Sequence, residues 1–168
     1  MKHHEAVVAE QKGDIAGAVE LYEACINELP EDALINLAVL YWQITDYGFS
    51  TSLQLPPEVV EHAGARFAEV LDVTERKFPQ SAAAMFWKKY IAWADLGDSF
   101  DPENCRQVLR ENPTYLEPAM YLFSTSQGRE SEHEALMLLE QCRQAGTVRA
   151  RYVASVIESA RLQQSQVN

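Results

Sequence analysis

Apolar residues recur along the chain at steps of three and four positions, which is the spacing of one face of an α-helix. Asp14 stands where an N-cap residue is expected, and Pro30 ends the first clear stripe. No segment alternates between apolar and polar residues with a period of two over a useful length. The pattern therefore predicts an all-α protein. The members of the first stripe are Ile15, Ala18, Val19, Tyr22, Cys25, Ile26 and Leu29.

The same spacing predicts about nine helices, most of them ended by a proline or a glycine. One of them, 33–44, is apolar nearly all round and must be covered on more than one side. The segment 45–57 has no helical period and is predicted as a loop insertion. The tail 163–168 is predicted to fray. After a polar helical pattern at the start, the predicted helices are 15–29, 33–44, 58–77, 81–96, 102–111, 115–126, 132–145 and 148–162.

These helices come in pairs, each joined by a turn with glycine and followed by a proline or glycine stop. Successive stops are 49, 34 and 33 residues apart, and leaving out the 13-residue segment 45–57 brings the first spacing to 36. A period near 34 residues is typical of the tetratricopeptide repeat (TPR). The turn glycines are Gly13, Gly97 and Gly128, and the stops are Pro30, Pro79, Pro113 and Gly146.

Three groups of residues resemble parts of a TPR: the second half of one repeat, the first helix of the next, and a second helix near the C-terminus. In that order they are Gly13-Asp14 with Ala18, Tyr22, Cys25 and Pro30; Asn36-Leu37-Ala38 with Tyr41; and Ala135, Leu139 and Cys142. The resemblance implies an α-α superhelix, a TPR-like solenoid of about four helical hairpins plus a C-terminal capping helix. We expect it to form a single domain over 1–168.

In solenoids of this family the first helices of the pairs line a concave groove, so the resemblance implies a groove that binds a peptide or a protein element. Trp42 and Trp87 are predicted as apolar anchors on its wall, since an accessible indole is a typical hot spot. The alternative for both is packing between repeats, which is the role predicted for Trp93. The other predicted partner-binding residues are Val7, Glu10, Gln11, Ile35, Val39, Gln43, Ile91 and Asp95.

The chain carries 25 acidic and 14 basic residues, a net charge of −11. This balance argues against nucleic acid and anionic membranes as partners. The charge is concentrated, since 1–65 holds eleven acids and two lysines whereas 66–168 holds fourteen acids and twelve basic residues. Solubility alone does not require this concentration. We therefore expect a basic protein or peptide partner that docks mainly on the N-terminal half.

Little in the sequence points to catalysis, a metal or a cofactor. The four histidines form no HExxH motif, and the chain contains no GxSxG element and no glycine-rich phosphate loop. Cys25, Cys105 and Cys142 form no CxxC pair, and each falls on an apolar stripe. They are expected to be buried free thiols in a reducing compartment. We expect no enzymatic activity, no cofactor and no metal site.

No apolar run approaches the roughly 20 residues of a membrane helix, and the start shows no signal-peptide stretch. These features favour a soluble, cytoplasmic protein. The function they fit best is that of a non-catalytic adaptor, a protein–protein interaction module that binds a peptide or protein element in its groove. The alternative is an immunity-type inhibitor that neutralises a basic toxin or nuclease. The oligomeric state is left open.

Overall fold

A computed structural model describes residues 2–167, so Met1 and Asn168, the ends of the predicted domain, lie outside the described residues. All regular structure in the described part is helical, which confirms the all-α prediction. Most predicted boundaries lie within two residues of the observed ones. The helices are α1 (Lys2–Lys12), α2 (Ile15–Glu23), α3 (Glu31–Ile44), α4 (Tyr47–Ser52), α5 (Pro57–Lys77), α6 (Ala82–Leu96), α7 (Pro102–Glu111), α8 (Glu117–Thr125), α9 (Glu132–Ala145) and α10 (Val148–Val167), with a 3-10 turn at Ile26–Glu28.

Side-chain caps fix where several helices begin. At the start of α2, Asp14 Oδ1 accepts a hydrogen bond from Gly17 N at 3.0 Å. At the start of α7, Asp101 Oδ1 accepts one from Glu103 N at 2.9 Å. Each aspartate thereby satisfies a backbone N–H that has no partner within its own helix. Gly13, with a φ of 81°, makes the left-handed turn between α1 and α2, which any residue with a Cβ adopts only under strain.

The first apolar stripe is not one continuous helix. α2 ends at Glu23, and the chain continues through the 3-10 turn Ile26–Glu28. Leu29 is extended, with a ψ of 135°, because the ring of Pro30 disfavours the helical conformation in the residue before it. The apolar spacing runs on through the tighter turn, so the sequence pattern alone does not reveal the break.

Two segments predicted as irregular contain helix. Within 45–57, α4 forms where the Asp46 side chain caps it by accepting a hydrogen bond from Phe49 N at 2.7 Å. Its six residues are too few to show a helical period in the sequence. The described part of the tail belongs to α10, and Gln164 Nε2 donates a hydrogen bond to Gly128 O at 3.1 Å. The predictions of a loop at 45–57 and of a frayed tail at 163–168 therefore both overlooked helical structure.

The described chain divides into two compact units. Unit 1 comprises 2–84 with 146–149, and unit 2 comprises 85–145 with 150–167. In unit 1, α1 packs on α2, α2 on α3, and α3 on both α4 and α5. In unit 2, α8 packs on α7 and on α9. The helices thus pack largely with their sequence neighbours, and the single TPR-like solenoid over 1–168 stays a prediction.

The core of unit 1 is built around α3, which is buried on nearly every face. Leu34, Ile35 and Leu40 point in three different directions around this helix, at steps of about 100° per residue, and none of them has exposed surface. The prediction that this apolar segment is covered on more than one side is confirmed. Burying each such side chain contributes about 1.5–3 kcal/mol, so α3 supplies a large share of the hydrophobic stabilisation of unit 1.

The core of unit 2 is rich in aromatic rings. Trp93 meets Tyr121 edge-on with ring centroids 5.0 Å apart, and Trp87 meets Tyr90 edge-on at 5.5 Å. Pairs of this geometry contribute about 0.5–1.5 kcal/mol beyond the area that they bury. The cluster consists of Phe86, Trp87, Tyr90, Trp93, Phe100, Tyr115, Tyr121 and Tyr152.

Candidate functional site

Most of the predicted partner-binding residues lie in the core. The buried ones are Glu10, Ile35, Val39, Trp42, Trp87 and Ile91. Val7 and Gln43 are half-buried, and Gln11 and Asp95 are exposed. A buried side chain presents no surface to a partner, so the six buried residues take no part in the binding surface proposed below. For Trp42 and Trp87, burial matches the alternative role, which is packing.

The Trp87 indole is held by a buried acid. Its Nε1–H donates to Glu117 Oε2 at 2.6 Å, and the Tyr115 hydroxyl donates to the same oxygen at 2.7 Å. Glu117 is only 6 % exposed, and a carboxylate so placed needs donors of this kind. The three residues form an internal network of unit 2. Because Glu117 is 30 positions from Trp87, no local sequence signal identifies it as the partner of the indole.

Glu10 has a corresponding role in unit 1. Its carboxylate is fully buried and accepts hydrogen bonds from the Tyr22 hydroxyl and from Val148 N, both at 2.7 Å. Burial and the neighbouring Glu10 charge raise the pKa of Tyr22, so its phenol stays protonated and can donate. Val148 begins α10, where free N–H groups and the helix dipole favour a carboxylate. Glu10 therefore holds α1, α2 and the start of α10 together.

Unit 1 contains a long run of chain with one sign of charge. The stretch 13–65, which we call the acidic segment, has nine acidic residues and no lysine or arginine. Glu23 is neutralised by Arg66 at 2.7 Å, and Asp32 pairs with Arg149. The exposed glutamates of the acidic segment that form no ion pair with any described residue are Glu20, Glu28, Glu58 and Glu61.

Two exposed apolar side chains lie in the same segment. Tyr47 is 82 % exposed at the start of α4, and Leu53 is 38 % exposed just after its end. Leu53 is five residues before Glu58, so the two Cα atoms lie no more than about 18 Å apart. An exposed ring offers contact area, and nearby charges of one sign steer a partner of the opposite sign towards it. We call Tyr47, Leu53, Glu58 and Glu61 the α4–α5 surface.

Unit 2 contains a pocket of about 160 Å³ between α6 and α7. Its apolar wall includes the buried side chains of Phe86, Phe100 and Cys105. The sequence places Cys105 on an apolar stripe, but neither helix alone reveals that this stripe faces α6. The remaining lining residues are Met85, Lys89, Asn104, Gln107, Val108 and Glu111.

Buried thiol and phenol groups are held in their neutral forms. Burial raises the pKa of Cys105 to about 12, so its thiol is a poor nucleophile at neutral pH. Burial also raises the pKa of Tyr90, which shares a hydrogen bond with Tyr152 at 2.8 Å. The expectation of three buried free cysteines is confirmed.

Residues 2–167 hold no group of three or more His, Cys, Asp or Glu side chains arranged for a metal ion. None of the helices described is long and apolar enough to cross a membrane.

Comparison with protein-family models, with curated proteins and with solved structures gives no match. The class of the protein is therefore described by its fold alone. It is an all-helical protein whose described part contains ten α-helices that pack mostly with their sequence neighbours. The resemblance to TPRs rests on the sequence motifs.

Proposed function

We propose that this protein is a non-catalytic protein–protein interaction module and that its unit 1 binds a basic segment of another protein. The observation that carries the proposal is the acidic segment, whose exposed glutamates form no ion pair with any described residue and whose α4 presents an exposed tyrosine. A TPR-like adaptor in the cytoplasm is the finer form of the same proposal, supported by the sequence motifs.

The α4–α5 surface supplies both parts of a binding site. Exposed charges act over about 8 Å at physiological ionic strength, so Glu58 and Glu61 raise the rate at which a basic partner arrives. Tyr47 supplies the contact area that slows dissociation, and an aromatic anchor of this kind is worth about 2 kcal/mol or more when a partner covers it. The binding surface thus moves from the predicted groove tryptophans to α4 and the start of α5.

The direct test measures binding of a short fluorescein-labelled peptide of lysine–serine repeats with one central leucine, by fluorescence anisotropy. We expect Glu58→Gln/Glu61→Gln to weaken binding at about 50 mM salt and to flatten its salt dependence between about 50 and 500 mM. Tyr47→Ala should weaken binding at both salt concentrations, because its contribution is apolar.

The matched control is Glu132→Gln/Glu134→Gln in unit 2, which removes the same charge near the start of a helix, α9. This variant should bind the peptide almost as the wild type does. Equal losses in the two double variants would show that net charge alone attracts the peptide, and the proposal would then fail.

An immunity-type inhibitor would use the same acidic segment, because a basic toxin or nuclease presents the same charge. The two candidates differ in what happens to the partner. An inhibitor abolishes the enzymatic activity of its partner on binding, whereas an adaptor leaves it intact. Assaying the activity of a purified basic partner with and without one equivalent of this protein separates them.

A further inference from the structure

The pocket of unit 2 has the size of a site for a single side chain. Its volume is about 160 Å³, close to the roughly 150 Å³ of an apolar protein cavity that accepts a benzene molecule. Pockets for whole cofactors and drug-sized ligands are larger, at about 300–1,000 Å³. The volume therefore favours one leucine or phenylalanine side chain as the occupant.

The chemistry of the wall fits such a side chain. Phe86, Phe100 and Cys105 are each less than one-tenth exposed and form an apolar floor. The protonated Cys105 thiol adds no charge to this floor. Met85 lies at the edge and is 50 % exposed, and an exposed methionine adapts its shape to an inserted group.

The polar groups of the pocket identify what should accompany the apolar side chain. Lys89 is exposed, and its ammonium forms no ion pair or hydrogen bond with any described residue. The half-buried Asn104 likewise has a side-chain amide without a partner among the described residues. Glu111 is the one acidic residue of the lining, and it already accepts a hydrogen bond from Gln107 at 2.8 Å. Two donors are thus available for a carboxylate.

The two arginines of α7 are already paired. Arg106 pairs with Glu130 at 2.6 Å and with Glu103 at 3.1 Å, and Arg110 pairs with Glu103 at 2.8 Å. With both arginines paired, Lys89 is the cation of the lining that forms no ion pair with a described residue. A carboxylate in the occupant would accept from the ammonium of Lys89 and the amide of Asn104, which points to an acidic residue beside the apolar side chain.

We propose that the α6–α7 pocket binds an internal segment of a partner protein that inserts one apolar side chain and places a neighbouring acidic residue on Lys89 and Asn104. This site is distinct from the α4–α5 surface and goes beyond the proposed function of unit 1. A partner that carries both a basic stretch and an apolar–acidic pair would engage the two units through separate contacts.

The test uses three capped tripeptides and the full-length protein, observed by NMR at the Met85 methyl group and the Asn104 side-chain amide. The peptides are acetyl-Ala-Phe-Glu-amide, acetyl-Ala-Phe-Gln-amide and acetyl-Ala-Ala-Glu-amide, so that the ring and the charge are removed one at a time. We expect the first to bind with a dissociation constant of about 1 mM or below. Each of the other two should bind several-fold more weakly.

Variants of the protein complete the test. Lys89→Gln should weaken binding of the Phe-Glu peptide several-fold and leave the Phe-Gln peptide unchanged, while the neighbouring change Lys88→Gln should affect neither. Val108→Phe should fill the pocket and abolish binding. Met85→Ala is a second pocket variant, at an exposed position that tolerates substitution. It should weaken the binding of both Phe-containing peptides.

Two outcomes would overturn the proposal. One is the absence of shifts at Met85 and Asn104 up to about 10 mM peptide, and the other is binding that is indifferent to Lys89→Gln. Glu58→Gln/Glu61→Gln should leave this binding unchanged. Failure at the pocket is therefore distinguishable from failure of the proposed function of unit 1.

Discussion

The two units use their charges differently. Unit 1 holds fourteen acidic and six basic residues, whereas unit 2 holds eleven and eight. In unit 2, some acids are tied to arginines, as in the pairs of Arg106 with Glu130 and Arg143 with Glu158, whereas Glu132 and Glu140 are exposed and form no ion pair with any described residue. In unit 1, several exposed glutamates have no ion pair with any described residue. The units therefore differ in net charge, −8 against −3, and in the acidic segment of unit 1, which contains no lysine or arginine.

The cores differ as well. Unit 1 is centred on an aliphatic helix, α3, and unit 2 on a cluster of aromatic rings. Each core nevertheless contains a deeply buried carboxylate that accepts hydrogen bonds, Glu10 from Tyr22 and Val148 in unit 1 and Glu117 from Trp87 and Tyr115 in unit 2. An aliphatic core and an aromatic core thus accommodate a buried carboxylate in the same way, by surrounding it with hydrogen-bond donors.

The largest expected effect is in the aromatic core. Trp87→Ala removes a fully buried indole and leaves a buried carboxylate with one donor fewer, so it should destabilise the protein by about 3–5 kcal/mol. Trp93→Ala should cost less, because Trp93 is only half-buried. Urea unfolding measures both. If Trp93→Ala lowered the free energy of unfolding as much as Trp87→Ala or more, the result would contradict the finding that Trp87 is the more buried of the two.

The next effect concerns the buried carboxylate of unit 1. Glu10→Gln replaces an acceptor by an amide that cannot accept from both Tyr22 and Val148 as the carboxylate does. We expect a loss of about 1.5–3 kcal/mol in the free energy of unfolding. Glu5→Gln, an exposed change on the same helix, is the control and should shift stability by less than about 0.5 kcal/mol. Equal effects would contradict the assigned role of Glu10.

The smallest effect is a pH dependence. Burial raises the pKa of Glu23, but hydrogen bonds from Arg66 and Tyr41 outweigh this and leave it below its usual range. A lowered folded-state pKa gives stability that is present above the unfolded value of about 4.3 and is lost as the pH falls through the folded value. Glu23→Gln should thus cost up to about 1 kcal/mol near pH 7, because the pair is partly exposed.

The control for this prediction is the same comparison in acid. In urea unfolding near pH 2, the difference between wild type and Glu23→Gln should shrink towards zero, since the wild-type carboxyl is then protonated too. A difference that stays constant from pH 7 to 2 would mean that the stabilising contact does not depend on the charge of Glu23.

The sequence predicts much of the local structure because local chemistry decides it. Asp14 and Asp101 cap their helices as expected, and apolar spacing places most boundaries correctly. α4 is missed altogether, since it is too short to show a period and depends on the cap by Asp46. Which side chains are buried could not be predicted in this way, because burial depends on contacts between residues distant in the chain, such as Trp87 and Glu117.

The candidate site could be predicted only in part for the same reason. Counting charges along the sequence identifies an acidic N-terminal half. It does not show which acids are neutralised, because the partners of Glu23 and Asp32, Arg66 and Arg149, lie outside the acidic segment. Nor does it show that α6 and α7 enclose a pocket, since that requires the packing of two helices.

The central claim is that open acidic charge in unit 1, and not net charge, directs binding. The most direct test is a chemical-shift map of the full-length protein titrated with the lysine–serine peptide. The account predicts changes concentrated at Tyr47, Leu53, Glu58 and Glu61, with the backbone of α9 unaffected. Changes distributed equally over the acidic residues of both units would contradict it.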